Sequence, residues 1–384
     1  MLTKKTLSDF PVSLPSLEKQ RKILTQFQVV YNQIFVSEVH YQDNLQKIIQ
    51  KHLKIGDLLF QKHRDSTIQI RDQFQLICGR TPPSKEERSL KKKNVPLEVI
   101  RNHPHRRAKT NYFLAIFRLR HSISKAIHDF FHQEGFYYVP TPIITSNDTE
   151  GTGGLFNINT NEEEPFFSKP VNLTVSGQLH AEALAQGLGQ VYTFGPCFRA
   201  DPSQTTRHLA EFWMVEAEAT WTDLTQITDL AEKLIKYTIN YVLANNNTEL
   251  AYFEKFQQKP IIAKLKNIVS TKFRHLNYEE GLRILTEAQN NFQQKNIFFG
   301  VDFQAEHEKY LCRHFGNQPL FILNYPEKLK PFYMKNNPDG KTVACFDLIF
   351  PEIGELIGGS GREDNYQILV DKAYQNSLDV DNLS

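Results

Sequence analysis

The chain has 384 residues, of which 40% are apolar, and a formal net charge of +2. That length holds two or three domains and the apolar share fills a core, whereas the near balance of charge excludes a whole-chain electrostatic attraction to nucleic acid and leaves any basic patch local. Cys78, Cys197, Cys312 and Cys345 lie far apart with no CxxC pair, which argues against a zinc site and for a reducing, cytoplasmic setting. The basic Lys4-Lys5 start leads into polar sequence without a signal-peptide core, and no run is long enough to span a membrane.

Residues 1–80 differ in character from the rest of the chain. Ser16 is a plausible helix cap, and Ile23, Phe27, Val30, Ile34, Tyr41, Leu45 and Ile48 keep roughly heptad spacing. The expectation is one long amphipathic helix over about residues 17–52, packed on its own domain or serving as a coiled-coil partner. The opening Leu14-Pro15-x-Leu17-Glu18-x-Gln20-x-x-Ile23 and the turn Gly79-Arg80-Thr81-Pro82 resemble a fragment of the DNA-specificity subunits of type I restriction enzymes. That resemblance implies a spacer helix and a DNA-restriction partner. Residues 81–110, with Pro82-Pro83, Lys91-Lys92-Lys93 and Pro96, read as a charged linker.

From Asn111 the pattern is coherent to the end, and residues 111–384 read as one α+β domain. Ile116, Leu119, Ile123, Ile127 and Phe130 predict one helix face, with Gly135 ending the helix. A strand over 136–145 comes next, interrupted by Pro140 and Pro142. Asp148 to Phe156 is glycine-rich, and Leu173 to Gln178 reads as a short strand entering a helix near His180. Phe198 to Glu218 predicts a hairpin with a polar loop at its tip. Alternation puts Glu211, Trp213 and Val215 on one face and Phe212, Met214, Glu216 and Glu218 on the other. Arg199, Arg207 and His208 are donors suited to a phosphate chain, and Phe212 offers a flat face for a purine. Thr222 and Asp223 cap a helix to about Leu243. Residues 245–300 mix helix with polar turns. Strands over 341–350 and from 355 bring Asp347 and Glu355 close together, a hard-oxygen pair suited to magnesium that would repel without a metal.

The run Phe198-Arg199-x-Asp201…Arg207-His208-x-x-Glu211-Phe212 resembles motif 2 of class II aminoacyl-tRNA synthetases, in particular asparaginyl members of the aspartyl, asparaginyl and lysyl subgroup. The helix, strand and prolines of 111–145 are similar to motif 1. The resemblance implies an antiparallel sheet flanked by helices, a homodimer formed through motif 1, and ATP-dependent joining of asparagine to tRNA with magnesium. It implies Arg199 as the catalytic residue gripping the α-phosphate, with Asp201, Arg207, His208 and Phe212 also binding ATP. It places Glu150, Ser176, Gln178, Glu216 and Arg362 around the amino acid, and Asp347 and Glu355 on the metal. Aspartate-specific relatives carry a lysine where this chain has Ala181, and the missing charge favours a neutral amide over a carboxylate. Asp201 stands where the family usually has Glu, and Gly361 where asparaginyl members usually have Gln.

The family reaction needs alignment and charge neutralisation more than protein acid–base chemistry. Two family parts are expected to be lacking: the anticodon-binding β-barrel, and motif 3 with its γ-phosphate arginine, so impaired activity is anticipated. The alternatives are an ammonia-dependent asparagine synthetase relative, acting on aspartate without tRNA, and a non-catalytic interaction protein.

Overall fold

The computed structural model describes residues 104–147, 154–158, 166–201 and 209–376, together with positions 97, 100 and 102. The chain divides into two compact units, Met1–Val99 and Ile100–Ser384, and the helices and strands named here belong to the second. The helix read over 17–52, the turn ending at Pro82 and the Lys91–Lys93 cluster lie outside the described residues, as do Glu150, Arg207 and His208.

Pro104–Arg107 is a single helical turn inside the stretch read as a linker. Helix α1, Asn111–Gln133, starts where Thr110 accepts a hydrogen bond from the Phe113 amide and ends at Glu134. Gly135 comes next with φ of 82°, the left-handed turn that its missing side chain permits. The expected 136–145 strand is two short ones, β1 (Tyr137–Tyr138) and β2 (Ile144–Thr145). Pro140 and Pro142 between them have no amide hydrogen for a ladder. Strand β3 (Asn172–Leu173) pairs antiparallel with β2, and helix α2 (Gln178–Leu188) begins two residues earlier than expected. Strands β4 (Gln190–Phe198) and β5 (Glu211–Ala219) form the hairpin, registered from Gln190 opposite Ala219 to Phe198 opposite Glu211. β1 joins its edge in parallel through Tyr137 and Val191.

α1 lies on one face of this hairpin. Ile127, Phe130 and Phe131 pack with Phe136, Tyr192 and Phe194, and Phe131 stacks on Tyr192 at 4.5 Å. The buried face also takes Ala115, Ser122 and Ala126, while Ile123 is 36% exposed. The large-residue stripe expected from sequence is therefore rotated, because small residues that a search for bulky side chains skips occupy part of the buried face.

Helix α3, Leu224–Asn245, opens on a capping box in which Asp223 and Gln226 exchange hydrogen bonds of 2.8 and 2.9 Å. Leu230, Leu234 and Tyr237 face the hairpin cluster. Ile227, Ala231, Ile235 and Ile239 face a second cluster with Phe273, Phe321, Phe346 and Leu348. The two stripes at helical spacing make α3 the bridge between two sheets. Helices α4 (Asn247–Gln257) and α5 (Ile261–Ser270) come next, then β6 (Arg274–Asn277), α6 (Tyr278–Glu287) and α7 (Ala305–His314).

The second sheet runs β6, β7 (Leu320–Leu323), β8 (Cys345–Phe350), β9 (Gly354–Ser360). β6 and β7 are parallel and the other pairs antiparallel. All of β8 is buried, since α3 covers one face while α6 and α7 pack on the other with Tyr278, Leu285 and Leu311. Helix α8 (Tyr366–Gln375) closes the described chain. The architecture is α+β with mostly antiparallel sheets, as expected, although each larger sheet includes one parallel pair. No helix among the described residues is long and apolar enough to cross a membrane. Cys197, Cys312 and Cys345 are buried and none is in a disulfide.

Candidate active site

The outer face of the hairpin points away from α1 and carries Phe212, Glu216 and Glu218. Arg199 leaves the end of β4, its amide donating to the Ala210 carbonyl at 3.1 Å, and its guanidinium lies 5.4 Å from the centre of the Phe212 ring. A cation and an aromatic face thus sit together at the mouth of the hairpin. Ala200 donates its amide to Gly154 at 2.7 Å. A Cβ on Gly154 would stand 2.3 Å from Asp201 Oδ1, so any larger residue here would push that carboxylate aside. Asp201 itself is exposed.

Deeper along β5, Glu216 takes a short hydrogen bond from Ser176 Oγ and one of 3.0 Å from the Gly177 amide. Ser176 Oγ also accepts from the Gln178 amide at 3.0 Å. Gly177 is wedged between segments, because a Cβ there would lie 2.5 Å from Thr141 Oγ1, 2.9 Å from Thr193 and 3.2 Å from Glu216. The turn into α2 is therefore locked onto the hairpin by one carboxylate and one missing side chain.

Arg362, just past β9, lies in a cage of acceptors. Its Nε donates to Glu182 Oε1 at 2.5 Å, Nη2 to Glu218 Oε1 at 3.0 Å and Nη1 to Ser360 Oγ at 2.6 Å. The guanidinium packs 5.2 Å from the centre of the Tyr333 ring. Gln178 joins the same network, donating to Glu182 Oε1 at 2.8 Å and accepting from the Tyr333 hydroxyl at 3.4 Å. Burial pushes the Glu218 carboxyl up to about 7; Arg362 pulls it back, and Glu182 and Glu216 push it further up. Glu182, Glu218 and Tyr333 escaped the sequence reading, although Glu182 is four residues after Gln178 on one helix and Glu218 was already on the expected face. Ala181 does not line this cage: its methyl is fully buried against Val139, Ala185 and Val191.

Asp347 and Glu355 approach each other on β8 and β9. Asp347 stands opposite Gly358, and a register shift puts Glu355 opposite Ile349. The extra residue on β9 turns Glu355 toward the Asp347 side. A Cβ on Gly358 would lie 3.0 Å from Glu355 Oε1 and 3.6 Å from Asp347 Oδ1, so glycine keeps the floor between the carboxylates open. Burial and then Asp347 push the Glu355 carboxyl up, and the Lys330 charge pulls it back. The expected repulsion is relieved by a residue that sequence reasoning missed. Lys330 Nζ lies 2.6 and 2.9 Å from the two Asp347 oxygens and 4.1 Å from the centre of the Tyr325 ring. Among the described residues no three His, Cys, Asp or Glu side chains gather as a metal cage. The pair therefore fits an ion that takes most of its oxygens from elsewhere, as magnesium does when it rides on phosphates.

Comparison with known proteins sorts these features. The family of tRNA synthetases class II (D, K and N) matches residues 97–383, about three quarters of the chain. The chain belongs to the class II tRNA synthetases. Within them it falls in the asparagine–tRNA ligase group. It is 42% identical over 368 residues to the asparagine–tRNA ligase of Mycoplasma capricolum subsp. capricolum, covering 94% of this chain and 80% of that one. The ligase of Cytophaga hutchinsonii is 42% identical over 331 residues, covering 83% of this chain and 71% of its own. Among solved structures, the asparaginyl-tRNA synthetase of Pyrococcus horikoshii complexed with asparaginyl-adenylate superposes with a TM-score of 0.67 at 31% identity. That match covers 75% of this chain, which spans 62% of the Pyrococcus chain. The Mycoplasma alignment, at 94% coverage, necessarily extends into residues 1–80. The synthetase likeness thus enters the stretch whose opening resembles a restriction specificity subunit, and that second resemblance gains no support.

Proposed function

We propose that this synthetase chain activates asparagine with ATP and passes it to tRNA, and that the Arg362 cage reads the side-chain amide. The observation that carries the reading is the pairing of a donor and an acceptor: the Arg362 guanidinium beside the Glu218 carboxylate, 3.0 Å apart. A carboxamide needs both, its oxygen accepting from Arg362 and its nitrogen donating to Glu218. An aspartate carboxylate satisfies only the first and is repelled by the second. Glu182 and Glu218, rather than Ala181, then carry the discrimination.

The remaining roles rest on placement. Glu216, held by Ser176 and Gly177, presents negative charge where an α-ammonium group would be seated. Gln178 borders the same space, and Glu150 is assigned there by family likeness. Arg199 is placed to neutralise an α-phosphate as the asparagine carboxylate attacks it in line, displacing pyrophosphate. Phe212 offers its face to adenine, with Arg207, His208 and Asp201 expected along the outer phosphates. Asp347 and Glu355 would hold magnesium, which when bound supplies positive charge against the phosphates.

The reading also includes a homodimer. Tyr137, Tyr138, Ile143, Ile144 and Trp213 form an exposed apolar group, each at least 43% accessible, beside a cavity of about 160 Å³ lined by Tyr138, Pro140, Phe194 and Trp213.

ATP–pyrophosphate exchange tests the chemistry. Asparagine is expected to stimulate exchange, aspartate is not, and Arg199→Ala is expected to abolish it. Stimulation by aspartate with ammonia consumption would replace this reading with tRNA-independent asparagine synthesis.

A further inference from the structure

We propose that Lys330 is a built-in counter-ion that keeps the Asp347–Glu355 pair from taking a free divalent cation, so that metal enters only on the nucleotide. The proposal rests on the reading of that pair as the metal end of the site. Lys330 reaches both oxygens of Asp347, at 2.6 and 2.9 Å, and only 17% of its side chain and 11% of that of Asp347 are exposed. Its ammonium also sits 4.1 Å from the centre of the Tyr325 ring, which is itself 2% exposed. The ring and the carboxylate together fix the charge in place.

Charge counting gives the consequence. Even with both carboxylates ionised, one ammonium leaves at most a single net negative charge toward an incoming ion. Asp302 and Glu308 add negative charge that acts on Glu355 from further away. Two carboxylates also supply too few oxygens for a hard cation, and no third His, Cys, Asp or Glu completes a metal cage with them among the described residues. A free divalent ion thus meets a part-neutralised, incomplete site. The same ion bound to ATP brings its own oxygens and negative charge, and Lys330 becomes an added attraction for the phosphates. Without Lys330 the pair would present two negative charges to a bare cation.

The test uses manganese as the probe, with the unbound ion followed by electron paramagnetic resonance in the presence of the full chain. The unaltered protein is expected to bind Mn²⁺ weakly alone and tightly with ATP. Lys330→Met, which keeps the aliphatic stem, is expected to bind Mn²⁺ alone at least tenfold tighter, and Lys330→Arg to behave like the unaltered chain. Lys330→Gln replaces the Met variant if that one does not fold by circular dichroism. Equal or weaker binding by the charge-free variant would overturn the proposal. Adding Asp347→Asn and Glu355→Gln to the Met variant must remove the gain. If the gain survives, or if ATP-dependent uptake by the otherwise unaltered chain ignores Asp347→Asn, the metal lies elsewhere and the underlying reading fails instead.

Discussion

Arg362 Nη2 lies 3.0 Å from Glu218 Oε1 and 3.3 Å from Oε2, so one edge of the guanidinium is committed to a carboxylate whose side chain is only 13% exposed. The raised carboxyl of Glu218, at about 7 with burial as its main cause, is expected to make amino-acid selection depend on pH. Below that value Glu218 takes up a proton, becomes neutral and stops repelling a substrate carboxylate. Above it, the ionised group accepts from an amide and rejects aspartate. The ratio of kcat/KM for asparagine over aspartate is therefore expected to rise on the order of tenfold from pH 6 to pH 8. Glu218→Gln should flatten the profile, and a flat profile in the unaltered chain would remove Glu218 from specificity.

Neighbouring glycines on β9 should respond in opposite ways to a methyl group. A Cβ at Gly359 would come within 2.5 and 2.6 Å of the Phe346 ring, which is 1% exposed in the α3 cluster. Gly359→Ala is expected to lower folding stability by about 1–3 kcal/mol in urea unfolding. At Gly358 the nearest atom is the mobile end of Glu355, at 3.0 Å. Gly358→Ala should leave the unfolding midpoint nearly unchanged while raising the KM for ATP.

Lys372 on α8 is 5% exposed, and its ammonium donates to the Met334 carbonyl and to Asn336 Oδ1, both at 2.6 Å. Met334 bridges to Arg362, and Tyr333 beside it packs on the same guanidinium. Lys372→Met would strand two acceptors, a cost of about 1–3 kcal/mol in stability. It would also loosen the wall behind Arg362. The KM for asparagine is expected to rise several-fold with a smaller change in kcat. Equal loss in both parameters would point to a general unfolding effect.

What local chemistry encodes was legible in the sequence. Gly135 marked the end of α1, Asp223 the start of α3, and alternation in β5 separated the core face of Val215 from the site face of Glu216. The approach of Asp347 to Glu355 was also visible, because strand pairing brings those residues together, whereas the Ser176, Gln178 and Glu216 cluster, spanning 40 residues, was legible only through the family resemblance. Lys330 and Lys372 were not. Their partners lie 17 and 38 residues away across irregular chain, and an isolated lysine looks the same whether it meets solvent or a buried acceptor. The parallel pairing of β6 with β7 was hidden for a similar reason, since two helices and a long connection separate the strands. The packing of Ala181 was hidden in a different way: spacing placed the residue on α2, but the direction of its side chain depends on what α2 packs against.

The close approach of Gly154 to Asp201 has one more consequence. The tail of the glycine-rich segment lies against the root of the hairpin loop, so a side chain introduced at Gly154 would push the Asp201 carboxylate aside. Mutational libraries that vary these two loops separately should recover mostly inactive combinations, whereas paired changes would keep working ones. A displacement at Gly154 is therefore felt directly at the root of the hairpin loop, through the 2.7 Å hydrogen bond from the Ala200 amide.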